Sequence, residues 1–132
     1  MVGSHDYDDP IWGNVNLTTS PRQPGSSIKV VTYAAALSRG FTAASILDDS
    51  PVTYPGYNTP YSPVNYDGQF HGKVPLRYAL ANSYNIPAIK TLDAIGIPVM
   101  VNLAKDLGVT TWGNPKEYGL SVTLGAGEVR MT

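Results

Sequence analysis

Pro24-Gly25-Ser26-Ser27-Ile28-Lys29 is the stretch on which the reading of this 132-residue chain turns. A Pro-Gly turn gives way here to an apolar run that reads as a helix, with Ile28, Val31, Ala35 and Leu37 near one face and Gly40 as its stop. Ser26 and Lys29 stand one helical turn apart and share a face. Their hydroxyl and amine can therefore touch, and an amine that gives up its proton can activate the hydroxyl as a nucleophile. A serine at a helix N-terminus followed by a solvated lysine is also ordinary helix chemistry. A second motif, Ser83-Tyr84-Asn85, follows one predicted helix and precedes another, and the pair of motifs makes acyl transfer through a serine the leading idea.

Outward from the first motif, the chain divides by its prolines and glycines. Residues 1–25 hold Pro10, Pro21 and Pro24 and read as an extended loop leading to Ser26. Residues 26–47 read as the helix just described and a second short one, capped by Thr42 and running through Leu47. Residues 48–73 carry Pro51, Pro55, Pro60 and Pro63 interleaved with Tyr54, Tyr57, Tyr61 and Tyr66, too much proline for regular structure. The rings could stack on sugars; packing the loop onto the domain is the reading their area favours. Residues 74–108 return to helix, with Pro75, Pro87 and Pro98 each in a first turn and Gly96 and Gly108 as stops. Met100, Leu103, Ala104 and Leu107 form an i, i+3, i+4, i+7 stripe expected in the core. Residues 109–132 are read as loop, with a short strand near Leu120–Leu124.

Composition narrows the function. A net charge of −1, with 14% charged residues and scattered Lys and Arg, gives no basic field for nucleic acid or an anionic membrane. No apolar run approaches membrane-spanning length and no basic-then-apolar leader opens the chain, so any anchor is expected elsewhere. There is no cysteine to form disulfides or hold a metal. His5 and His71 are isolated from each other and from any zinc-binding spacing, and no metal or cofactor is expected.

The chain resembles the serine transpeptidase domain of bifunctional penicillin-binding proteins, enzymes that cross-link bacterial peptidoglycan. The resemblance runs through Met1-Val2-Gly3-Ser4, Asp6-Tyr7, Pro21-Arg22-Gln23-Pro24-Gly25-Ser26-Ser27, Thr32-Tyr33-Ala34-Ala35-Ala36-Leu37 and Leu47-Asp48-Asp49-Ser50-Pro51. It continues through Asn65-Tyr66-Asp67-Gly68, Leu76-Arg77-Tyr78-Ala79-Leu80-Ala81-Asn82-Ser83, Asn85-Ile86-Pro87-Ala88 and Tyr118-Gly119-Leu120-Ser121. Ile28-Lys29-Val30 stands where family members usually have Phe-Lys-Pro. The family's third motif, Lys-Thr/Ser-Gly on a strand facing the nucleophile, has no counterpart: Lys90-Thr91 continues into Leu92. The resemblance therefore implies a mainly α piece of a larger domain, the helical lobe of the α/β transpeptidase fold, without most of its five-stranded sheet. Its first residues would be the tail of the first strand, and its bare sheet-facing side would favour self-association.

Roles follow from the same resemblance. Ser26 would attack the penultimate D-alanine carbonyl of a stem peptide, or a β-lactam, with Lys29 as general base. Ser83 would relay a proton to the leaving amine and Asn85 would hold the substrate amide, while the Ser26 N–H supplies one oxyanion donor. A glycosyltransferase domain would lie elsewhere in the full protein, at the extracytoplasmic face of the cell membrane. A β-lactamase-like hydrolase, a β-lactam sensor and a non-catalytic scaffold stay open; Glu117 and Glu128 lack the Glu-x-x-Leu-Asn context of one hydrolase class. Bringing a lysine from about 10.4 to near 7 takes roughly 4 to 5 kcal/mol, and a helix N-terminus supplies only about 0.3 to 1. Burial must supply the rest, so Lys29 is expected to be buried beneath Ser83-Tyr84-Asn85.

Overall fold

The computed structural model describes residues 5–11, 13–16, 18–56, 59–126 and 129–131. Four helices and one two-stranded ribbon form its frame among these residues: α1 (Lys29–Ser38), β1 (Ile46–Asp49), β2 (Gly72–Pro75), α2 (Leu76–Ala81), α3 (Asn85–Ile95) and α4 (Ile97–Asp106). Short 3₁₀ segments at Gly25–Ile28, Pro115–Glu117 and Leu120–Leu124 join them. Residues 1–4, expected as the tail of a strand, lie outside the described residues, as do Tyr57 and Glu128.

Three helices end in the same backbone device. After α1, Gly40 takes φ 94° and donates to the Leu37 carbonyl while Phe41 donates to Ala36. After α4, Gly108 at φ 96° donates to Lys105 and Val109 donates to Ala104. These are paired 5→2 and 6→1 bonds around a left-handed residue, where glycine costs least. α2 closes identically, with Ser83 donating to Leu80 and Tyr84 to Ala79, but its left-handed residue is a serine at φ 56°. Among the described residues no other non-glycine has positive φ.

α3 is the central element, packing against α1, α4, β1 and the Leu120–Leu124 segment, with Ile86, Ala88, Ile89 and Leu92 fully buried. It separates two apolar clusters. One gathers Ile28, Ala35, Leu92, Met100, Val101, Ala104, Trp112, Val122 and Val129; the other gathers Tyr33, Leu47, Leu76, Ala79 and Ala88 beside the ribbon.

The fold matches the expected helical lobe, with corrections in detail. The segment after Thr42 is not a second short helix: Ile46–Asp49 is a strand paired antiparallel with Gly72–Pro75, Leu47 opposite Val74. Pairing across an intervening loop decides this, which local sequence does not show. Leu120–Leu124 is 3₁₀ rather than strand, held between Gly119 and a left-handed Gly125. Leu37 and Leu107 leave their expected core stripes and are exposed. Thr32 takes a core position instead, its hydroxyl 2.6 Å from that of Thr123 and 3.2 Å from the Met100 sulfur. In the loop, Tyr54 and Tyr61 exchange backbone hydrogen bonds at 2.9 Å, whereas Tyr66 projects fully into solvent. No single described helix is long and apolar enough to cross a membrane.

Candidate active site

Ser26 lies in the 3₁₀ turn Gly25–Ile28 that leads directly into α1. Gly25 enters the turn at φ 56°, and Gly125 presses against it so closely that a Cβ at 125 would sit 2.2 Å from the Gly25 carbonyl oxygen. Any side chain at 125 would displace the turn, so the Gly25–Gly125 approach helps to fix where Ser26 stands. The two serines of the turn differ in availability. Ser27 donates to the Pro24 carbonyl at 2.7 Å, whereas the exposed Ser26 hydroxyl has no hydrogen bond among the described residues. The Lys29 backbone N–H closes the turn onto the Ser26 and Ser27 carbonyls.

Lys29 starts α1 and is 0% exposed. Its Nζ donates to the Ser83 carbonyl at 2.5 Å, to Ser83 Oγ at 3.1 Å and to Asn85 Oδ1 at 2.6 Å. Burial lowers this amine from 10.5 to about 8, a penalty of roughly 3 kcal/mol on the charged form. The partners also limit what the proton can do. Ser83 O and Asn85 Oδ1 are pure acceptors and hold two protons whatever the charge state. The third contact is a hydroxyl, which accepts from the ammonium and donates to the neutral amine, so of these three partners only Ser83 can exchange a proton with Lys29.

Ser83 and Asn85 reach Lys29 because of how α2 ends and α3 begins. The left-handed Ser83 turns its carbonyl and hydroxyl inward together, and such a conformation costs a non-glycine residue about 1 kcal/mol or more. Tyr84 is extended at φ −61°, ψ 135°, and places Asn85 as the first residue of α3. Of the four predicted site residues, the structure thus joins Lys29, Ser83 and Asn85 by direct hydrogen bonds. It attaches Ser26 to them through the backbone of the turn. Burial of Lys29 beneath the S-x-N segment, demanded by the arithmetic of its basicity, is what the fold provides.

Three further residues, His71, Asp49 and Asn65, surround the S-x-N segment. His71, read as an isolated histidine, stacks on Tyr84 with ring centroids 4.1 Å apart and places Nδ1 2.7 Å from Asp49 Oδ2. Asp49 and Asn65 are buried behind the S-x-N segment. Both lie in the blocks that carry the family resemblance, Leu47-Asp48-Asp49-Ser50-Pro51 and Asn65-Tyr66-Asp67-Gly68, and that was their only signal. No group of three His, Asp or Glu among the described residues gathers to hold a metal ion.

A helical lobe with an S-x-x-K turn facing an S-x-N segment across a buried lysine has a known setting. The chain belongs to the family described as "Penicillin binding protein transpeptidase domain", whose profile matches residues 1–122. It is 36% identical to penicillin-binding protein 1A of Neisseria flavescens over 133 aligned positions, covering 97% of this chain and 16% of that protein. The crystal structure of penicillin-binding protein 1A from Haemophilus influenzae superposes with a TM-score of 0.81 at 30% identity, covering 99% of this chain and 19% of that one. A ceftriaxone acyl-enzyme complex of penicillin-binding protein A from M. tuberculosis superposes with a TM-score of 0.70 at 25% identity, over 85% of this chain and 29% of that one. The chain spans about a sixth of the length of the curated relative it matches.

Proposed function

We propose that this chain supplies the nucleophile, base and relay of a serine D,D-transpeptidase. One observation carries the reading: a fully buried lysine, one turn from a solvent-facing serine, shares its amine with the hydroxyl of a second serine. Neutral Lys29 takes the Ser26 proton as Oγ attacks the carbonyl of the penultimate D-alanine in a stem peptide. The proton passes through Ser83 to the amine of the departing terminal D-alanine, leaving the acyl group on Ser26. An amine from a neighbouring stem then attacks this ester, giving up its proton along the same route and restoring the Ser26 hydroxyl. The Ser26 N–H, at the entrance to α1, offers one oxyanion donor. A β-lactam would acylate the same oxygen, as an acyl-enzyme is recorded for the M. tuberculosis protein.

In the intact protein we place this site at the extracytoplasmic face of the membrane, with a glycosyltransferase domain in another part of the chain, as in the bifunctional enzymes it resembles. The sequence contains no Lys-Thr/Ser-Gly motif, and the second oxyanion donor of the family belongs to that strand. Loss of one such donor costs about 10²- to 10³-fold in rate, so the 132 residues alone are not expected to form a stable adduct. The test is labelling of the intact protein with a fluorescent penicillin. Covalent fluorescence that disappears in Ser26→Ala is expected; undiminished labelling of that variant would refute the assignment.

A further inference from the structure

Asn65, in the loop between β1 and β2, is 3% exposed and bonded in every direction its amide allows. Its nitrogen donates to both carboxylate oxygens of Asp49, at 2.9 and 2.8 Å, and to the Gln69 carbonyl at 2.8 Å. Its oxygen accepts from the backbone N–H of Asn85 at 2.8 Å and, more weakly, of Ile86 at 3.3 Å. These are the first two N–H groups of α3, and the side chain of Tyr84, which precedes the helix, caps neither. Asn65 therefore caps α3 from a distant loop, doing what a local Ser or Asp usually does.

A cap at this position also orients a site residue. The Asn85 side chain donates through Nδ2 to the carbonyl of Val64, the residue before Asn65, at 2.8 Å. Backbone and side chain of Asn85 are thus both tied to the Val64-Asn65 pair, and the only amide atom left, Oδ1, points at Lys29 Nζ from 2.6 Å. Behind Asn65 stands Asp49, whose carboxylate is 0% exposed and makes no hydrogen bond to Lys29, Ser83 or Asn85. Burying a carboxylate is costly unless it is fully bonded. Here the bonds come from Asn65 and from the backbone N–H of His71 at 2.9 Å, with the His71 ring alongside. Through them the carboxylate fixes which face of the Asn65 amide carries oxygen and which nitrogen.

We propose that Asn65, oriented by Asp49, is a positioning residue for acyl transfer: it sets the direction of the Asn85 amide and thereby of the Lys29 amine it accepts from. The proposal rests on the acyl-transfer reading above. It differs from a purely structural cap in that disturbing Asn65 should slow the chemistry of molecules that are still folded.

The test is time-resolved acylation of the intact protein by a fluorescent penicillin, in wild type, Asn65→Asp, Asp49→Asn and the double exchange Asp49→Asn/Asn65→Asp. Asn65→Asp sets two carboxylates against each other, and Asp49→Asn removes the charge while keeping an oxygen for His71. Each single variant should lose about tenfold or more in limiting rate at saturating penicillin, with the half-saturating concentration and the final labelled fraction little changed. The double exchange restores one amide and one carboxylate in swapped places and should recover most of the loss. Normal limiting rates with a reduced labelled fraction would reduce Asn65 to a structural cap and overturn the proposal. So would a double exchange no faster than the slower single variant. If Asn65→Asp fails to fold, Asp49→Asn and the double exchange decide by the same readouts. Absence of labelling in wild type would instead overturn the acyl-transfer reading, and this proposal with it.

Discussion

Lys29 is where energetics and chemistry meet. Its amine, held near 8 by burial, is mostly protonated at neutral pH, so the acylation rate should rise with pH and level off above a midpoint of about 8. A rate independent of pH between 6 and 9 would remove Lys29 as the base. The same depression acts on stability in a defined direction. Between about 8 and the ordinary value of 10.5 the unfolded chain binds one more proton here than the folded one, so the contribution of this site to stability increases with pH across that window and is constant below it. Measured against Lys29→Met, which cannot titrate, the stability of wild type should gain up to roughly 3 kcal/mol over that interval. Lys29→Arg keeps the charge but cannot release a proton at neutral pH, and should lower acylation by roughly two or more orders of magnitude with no recovery at pH 9. The Ser26–Lys29 spacing was visible in the sequence, but it became a candidate site only together with Ser83-Tyr84-Asn85. Asn65 was not legible in this way, because its partners Asp49 and Asn85 lie 16 and 20 residues away, and a buried polar hub has no periodicity.

At the scale of elements, the S-x-N motif is also the end of a helix. Ser83 occupies the left-handed position that Gly40 and Gly108 fill after α1 and α4, so stability is given up there for a hydroxyl and a carbonyl aimed at Lys29. Comparison of Ser83→Gly with Ser83→Ala isolates the strain, since both lack the hydroxyl. The glycine variant should be the more stable by about 1 kcal/mol, measured by chemical denaturation, the reverse of the order at an ordinary position. Alanine equal to or more stable than glycine would show that Ser83 is not strained, and both variants should acylate slowly. α3 and α4 were readable because Gly96, Pro98 and Gly108 punctuate them by local chemistry. β1 was not: Ala43-Ala44-Ser45-Ile46-Leu47 has helical composition, and only pairing with residues 72–75 makes its second half a strand. Leu120-Ser121-Val122-Thr123-Leu124 alternates like a strand but pairs with none, and coils between two glycines instead.

For the molecule as a whole, the exposed area exceeds what the average compact monomer of this mass shows. A compact monomer of 14.1 kDa exposes about 6,700 Å², against 8254 Å² here. Val30, Leu37, Ile46, Val64, Phe70 and Leu107 are among the exposed large apolar side chains. The chain expressed by itself should therefore self-associate on size-exclusion chromatography with light scattering, and it should fail to accumulate a stable penicillin adduct. Stoichiometric labelling of a verified monomer would show that the 132 residues hold a complete site. The overall helical lobe was readable from the extended resemblance, whereas its surface excess emerges only in three dimensions. The claim on which everything else depends is that Ser26, and neither neighbouring serine, is the nucleophile. Peptide mapping by mass spectrometry of the β-lactam-treated intact protein tests it most directly. The added mass should fall on Ser26, whereas an adduct on Ser27, already donating to Pro24, or on Ser83, already bonded to Lys29, would contradict the account.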